Sequence, residues 1–471
     1  MRLRLLVLAA LGALAVLALP LGASAVPPTV AAATSTFDYT KNMHPMGYSE
    51  ELYPNNPNFD GWNSDLAFWG NTAYQGEING FRILDVSSPV NPTVLVDYEN
   101  CAGDQGDVII WDDVLVRSWN SPAPAGAQCG GMPVPAGQEG LHIFDVSNPA
   151  SPQVVAFVPL DCGSHTATSV PDPANNRLLV YNGSSGAACP WIDIVEIPLD
   201  NPAAASHINR VDSMHTCHDI GVILGDTMKA ACAGGMGVRV FSLGGPNGGS
   251  LDDPELLYHV DFPGVTIGHS AIWSWDGEVI VFGHEPAGGV GARCKETDSI
   301  VDRTLFFLDG DTGATLGTFV HPRPQTALEN CTWHNYNFVP TDKGRILVSG
   351  NYQSGISVVD LTNPANAYEF AYADPAPLPC CTFAFGLPLT LGGDWSSYWY
   401  NGRIYESDIT RGLLIWKLSD PRVAGAKKLS HLNPQTSEFT IPLKKNAEKR
   451  SATLKKAMAK AAKAKANRAR R

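Results

Sequence analysis

Long helical periodicity is missing from this 471-residue chain. Before the basic C-terminal end, apolar residues do not recur at three- and four-residue steps for more than a few turns. That excludes a helical bundle. Charge is also sparse: Asp, Glu, Lys and Arg make up only 17 %. No apolar run beyond the N-terminal one reaches about 18 residues, so no later membrane span is expected. The Gly-x-Ser-x-Gly elbow, the His-Glu-x-x-His helix and the phosphate-binding Gly loop are absent. His284-Glu285 is followed by Pro286, which argues against a zincin helix. No specific nucleic-acid motif is present.

Turn formers are abundant instead, with 45 Gly and 35 Pro. A short phrase, an apolar strand ending in an acidic or polar residue, occurs seven times. Its copies end at Asp85, Asp145, Glu196, Ser242, Asp309, Asp360 and Lys417. The spacings are 60, 51, 46, 67, 51 and 57 residues. Four copies run into Ser-Asn-Pro or a near copy, as at Ser147-Asn148-Pro149. Each copy sits third in a plan of four strands joined by Gly, Asp or Pro turns. Repetition at this period predicts an all-β fold, a seven-bladed β-propeller of four-stranded antiparallel blades. The same strands fit a β-sandwich or solenoid, but the repeat favours the ring.

The domain reading follows. Residues 1–25 read as a signal peptide: Arg2 and Arg4, an apolar stretch from Leu5 to Leu19, then the small-residue site Ala23-Ser24-Ala25. A membrane anchor is the rival reading of that stretch. Residues 26–57 form a lead-in, 58–433 the propeller, and 434–471 a basic, flexible tail. From Leu443 onward twelve Lys or Arg face one Glu, a net of +11, which leaves −24 for the rest of a chain whose total is −13. The tail therefore reads either as a solubilising extension or as an attachment to an acidic envelope polymer or membrane surface. The sequence leaves open how the ring closes: the lead-in near Phe37–Tyr39 or the stretch Lys428–Leu432 could complete the last blade.

The phrase with its Ser-Asn-Pro turn resembles the LVIVD repeat of secreted bacterial propeller proteins. His218-Asp219-Ile220-Gly221-Val222, Gly268-His269-Ser270-Ala271-Ile272-Trp273, Trp333-His334-Asn335-Tyr336 and Ser407-Asp408-Ile409-Thr410-Arg411-Gly412-Leu413 are similar to segments of the related choice-of-anchor B proteins. The resemblance covers most of residues 60–420. It implies export, a life at the cell surface and a propeller fold, and it implies no settled reaction.

Aligning the first strands of the seven units brings Asn63, Asp107, His165, His218, His269, His334 and Asp394 to one level. First strands line a propeller's channel, so His165, His218, His269 and His334 are expected to converge near the axis. Four imidazoles there would hold one transition-metal ion, Fe, Cu, Zn or Mn. Asp219 or Glu285 would orient the rings from behind. The arrangement is similar in geometry to the four-histidine iron centre of carotenoid-cleaving propellers. The plainer reading of each histidine is a hydrogen-bonded turn residue. His215 is expected outside the ring.

Ten cysteines suit an exported chain. A first strand starts, and a second ends, on the same face of a blade. That geometry pairs Cys101 with Cys129, Cys162 with Cys189, Cys217 with Cys232 and Cys294 with Cys331. Cys162-Gly163-Ser164-His165 and Cys331-Thr332-Trp333-His334 also have zinc-ligand spacing, which oxidation would pre-empt. Cys380-Cys381 is left open. The tryptophans near blade ends are expected to pack the core or to form a binding rim.

Two functions remain in view. One is a secreted or cell-surface binding or scaffold propeller for an unknown extracellular ligand, without catalysis. The other is a metal-dependent extracellular oxidoreductase or hydrolase built on the four histidines. No catalytic residue is assigned by either.

Overall fold

The structure is a computed structural model, and it describes residues 28–51, 61–184, 188–378, 381–382, 388–389 and 391–469. The signal-peptide reading and Cys380 lie outside these residues. Seven four-stranded antiparallel blades surround one axis. Their innermost strands are Asn63–Trp69, Val108–Trp111, Thr166–Asp172, Asp219–Ile223, Gly268–Trp273, Asn335–Phe338 and Asp394–Tyr400, here blades 1 to 7 in order. The repeated phrases are the third strands, as at Gly80–Asp85 and Ile356–Asp360. Their apolar side chains fill the gaps between neighbouring blades; Leu84, for instance, packs with Leu413 and Ile415 of blade 7.

The acidic end of the phrase has a local cause. Asp85 and Asp145 each accept a hydrogen bond from a backbone N–H two residues on, at Ser87 and Ser147. Asp360 does the same for Thr362. The carboxylate thus stabilises the turn into the fourth strand. In blades 1 to 6 the pairing of third and fourth strands also slips between the third and fourth residues of the phrase, for example at Ile83/Leu84 and Val358/Val359. Such a bulge increases twist, and here it lets the outer strand splay from the ring.

The lead-in completes the last blade, though a few residues beyond Phe37–Tyr39. Met43–Glu50 supplies its fourth strand, pairing antiparallel with Gly412–Leu418. Phe37–Tyr39 instead adds a fifth strand outside blade 6. His431–Leu432 adds a short strand inside blade 1. Arg82 of blade 1, fully buried, locks the joint: its guanidinium donates to Ser49 Oγ at 2.8 Å and to the Glu50 carbonyl at 3.0 Å.

The propeller boundaries of 58–433 are therefore too narrow, and the tail is not a loose extension. Residues 429–441 cross one mouth of the channel. Asn433 exchanges two hydrogen bonds with the backbone of Ile110, Gln435 donates to Asp65 and Thr436 donates to the Ser169 carbonyl. Phe439 stacks on Trp275. A helix then spans Ala447–Ala469. Ala and Lys favour helix strongly enough to outweigh like-charge repulsion. Its first turns dock: Ala447 is buried, the Ser451 carbonyl accepts from Tyr368 Oη, Lys455 donates to the Asn366 carbonyl, and Met458 packs on the core between blades 6 and 7. Residues 459–467 are exposed. Among the described residues, no helix is long and apolar enough to cross a membrane.

The latch strand makes a prediction. Met43 is completely buried in the core between blades 6 and 7. Met43→Ala is expected to lower unfolding free energy by about 2–5 kcal/mol, the range for a large buried side chain cut to Ala. Chemical denaturation checks this; an unchanged midpoint would show that Met43–Glu50 does not close the ring.

Candidate metal centre

The four histidines stand at the starts of successive inner strands, at the end of the channel opposite residues 429–441. The His165 backbone N–H donates to the Gly183 carbonyl, and that of His218 to the Ala233 carbonyl. His269 lies where the pairing of Gly268–Trp273 with Val279–His284 slips by a residue. A bulge of this kind re-aims a side chain. Blades 3 and 4 meet closely here. A Cβ built on Gly183 would sit 2.3 Å from the His218 carbonyl oxygen, so only glycine fits.

The rings form a chain. Centroids are 4.3 Å apart for His165 and His218, 4.1 Å for His218 and His269, and 4.3 Å for His269 and His334. The tightest ligand set is not four imidazoles, however. His218, His269 and Glu285 each bring one ligand atom within 4.8 Å of the others. His334 Nε2 lies 3.6 Å from Glu285 Oε1. His165 sits at the far end of the chain, its Nδ1 2.8 Å from the Asn120 carboxamide. Asp65, Asp107 and Asp219 line the same small cavity, about 20 Å³, room for a water-sized occupant.

Three rings are turned the same way. His218 Nδ1 faces Asp219 at 3.5 Å. His269 Nδ1 is 2.7 Å from Ser270 Oγ, which in turn donates to Asp219. His334 Nδ1 donates to the Trp395 carbonyl at 2.6 Å. With Nδ1 committed to an oxygen partner, Nε2 is left to present a lone pair. Metal-binding histidines are held in this manner by the groups behind them. Asp219 stands behind two rings, as expected from the sequence; Ser270, which links it to His269, was not singled out there.

Burial, then the neighbouring imidazoles, holds His165 and His269 well below the usual histidine range. Burial takes His334 down to about 4 against the opposing Trp395 bond. These rings are neutral at pH 7, the form that ligates a metal. His218 differs: burial lowers it, but the Asp219 hydrogen bond and the charges of Asp219 and Glu285 leave it raised. Burial raises Glu285 against the favourable His218 charge. Burial and the Glu285 charge keep the Tyr352 phenol well above the tyrosine range.

The cysteines pair as Cys101–Cys129, Cys162–Cys189, Cys217–Cys232 and Cys294–Cys331. This consumes the thiols of both Cys-x-x-His stretches, so neither is a zinc site. Cys101, Cys129 and His142 also meet, but their sulfurs are joined to each other. His215 is half-buried against Gly235, outside the channel. Trp119, Trp273, Trp333 and Trp399 are core residues rather than a rim.

The LVIVD repeat model matches residues 60–100 and 134–158, which are blade 1 and the outer half of blade 2. The protein thus carries LVIVD repeats on a seven-bladed propeller. No curated protein matches. Among solved structures, a chain in a crystal structure of a mitotic checkpoint complex is similar over 81 % of this chain and 95 % of its own. It has 11 % identity and a TM-score of 0.45. The Cps50 (Swd1) β-propeller domain of Myceliophteria thermophila is similar over 81 % and 100 %, with 9 % identity and a TM-score of 0.48.

Cys217 and Cys232 tie the start of blade 4's inner strand, beside His218, to its second strand. Cys217→Ser/Cys232→Ser is expected to lose about 2–4 kcal/mol of stability. Chemical denaturation against the oxidised parent measures it, and equal midpoints would rule out the bridge as a support of the histidine end.

Proposed function

We propose that this protein is an exported metalloprotein, a metal-dependent oxidoreductase whose single transition-metal ion sits on the propeller axis. His218, His269 and Glu285 would hold the ion, with His334 beside them. One observation carries the reading: three buried imidazoles turn Nδ1 towards oxygen partners while a buried carboxyl group joins the same point. Desolvated carboxylates and imidazoles are costly to gather unless paired or bound to a cation. Two imidazoles and one carboxylate with open positions suit non-haem iron, and imidazole also suits copper, zinc and manganese. A bound iron or copper ion would supply one-electron chemistry and Lewis acidity at this point.

Redox chemistry is preferred to hydrolysis because of what surrounds the ligands. Tyr352 and Trp395, both oxidisable rings, pack on His334 with centroids 4.2 and 4.9 Å away. A cavity of about 20 Å³ also suits a small reactant better than a polymer. Export is supported by four disulfides, which persist outside the reducing cytosol. The exposed end of the C-terminal helix, with Lys460, Lys463 and Lys465, supports attachment to an acidic envelope polymer or membrane surface.

Elemental mass spectrometry of the secreted protein, purified without a His-tag, tests the proposal. About one equivalent of Fe, Cu, Zn or Mn is expected, and a folded His269→Ala/His334→Ala variant should lose it. No metal in the parent, even after reloading, would reject the metal reading.

A further inference from the structure

Tyr352 belongs to no strand, and sequence reasoning passed it over. It is a non-glycine residue in the left-handed region, φ 51°. Such a conformation is strained and persists only where the surroundings enforce it. They do so here. Its backbone exchanges reciprocal hydrogen bonds with Asp394, at 2.8 and 2.9 Å. Its ring lies against His334. Gly289, itself at φ +65°, leaves the space: a Cβ there would sit 2.6 Å from the Tyr352 hydroxyl and 2.3 Å from Glu285 Oε1.

The hydroxyl ends between two ligand candidates, 2.6 Å from Glu285 Oε1 and 2.8 Å from His334 Nε2. The Trp395 carbonyl can only accept, so the His334 proton is on Nδ1 and Nε2 is bare. The phenol oxygen, the Glu285 carboxyl oxygen and His334 Nε2 thus bring three donor atoms to one point. A cation in place of the phenol proton would be held by all three at once.

We propose that Tyr352 is itself a ligand of the axial metal, binding through its phenolate oxygen beside Glu285 and the imidazoles. This rests on the metal reading above. The phenol O–H bond breaks, a metal–oxygen bond forms, and the proton leaves to solvent. With two anionic oxygen donors the site would balance a divalent ion and would hold the oxidised form of a redox metal well.

The test loads the protein with Cu(II) and records its visible and resonance Raman spectra, alongside Tyr352→Phe, which keeps the ring. The expected result is a phenolate-to-copper charge-transfer band in the parent, with Raman modes of a coordinated phenolate. Tyr352→Phe should bind copper and lack both. The Raman signature of the parent stands even if the variant does not fold. Copper bound at the histidines without phenolate modes, or an identical spectrum in Tyr352→Phe, would overturn the tyrosine assignment and leave the metal centre standing. Failure of the parent to bind any metal would overturn both.

Discussion

Closure of the ring is the constraint on which everything else depends. Histidines that begin four consecutive strands are 51 to 65 residues apart in sequence. They become neighbours only if each blade turns by a fixed angle and the last meets the first. The chain achieves this by building blade 7 from both of its ends, with Met43–Glu50 laid against Gly412–Leu418. The joint is polar as well as apolar: Arg82 reaches from blade 1 to Ser49 and Glu50 with no exposure to water. A buried guanidinium bonded in this way tolerates little displacement, because a lost partner leaves a desolvated charge. The same blades carry Asn63 and Asp394 at the rim, so precision at the joint is transmitted to the site.

A second constraint comes from the segment 429–441. An open channel would expose the ends of inner strands and let water through the axis. The chain's own backbone fills that mouth, with a strand beside blade 1, a parallel strand beside blade 4, and Asn433, Gln435 and Thr436 paired to blades 1 to 3. The channel is thereby closed at that end, and the histidines at the other are buried. Low dielectric there is what keeps three imidazoles neutral and makes an unpaired carboxylate expensive, and both effects favour a bound cation.

Much of this was legible in the sequence, for a definite reason. The phrase repeats because every blade needs a buried third strand, and at Asp85, Asp145 and Asp360 its last residue also caps the following turn. The cysteine pairs were readable because strand direction alone places a first-strand start beside a second-strand end. The level of the four histidines followed from the same counting. What could not be read lies where counting stops. Met43–Glu50 contains Pro45 and Gly47 and makes no strand pattern, and its partner lies far along the chain. Tyr352 sits in a loop after a second strand, where no periodicity fixes direction; Glu285, in the equivalent loop of blade 5, was expected behind the rings rather than among the ligand atoms. The basic tail looked loose because its charge pattern says nothing of the groove it docks in.

Glu285 and Tyr352 also change what the site can be. Four neutral imidazoles would suit a soft, low-charge ion and leave its charge uncompensated. Adding a carboxylate and a phenol supplies anionic oxygen, and the Asp219–Ser270 pair behind His218 and His269 adds negative potential without taking a ligand position. Blades 1 and 2 contribute Asp65 and Asp107 to the opposite wall, both raised above the aspartate range chiefly by burial. The axis is thus divided into an imidazole wall and a carboxylic wall. In this fold the division arises simply because neighbouring blades place different residues at one equivalent position.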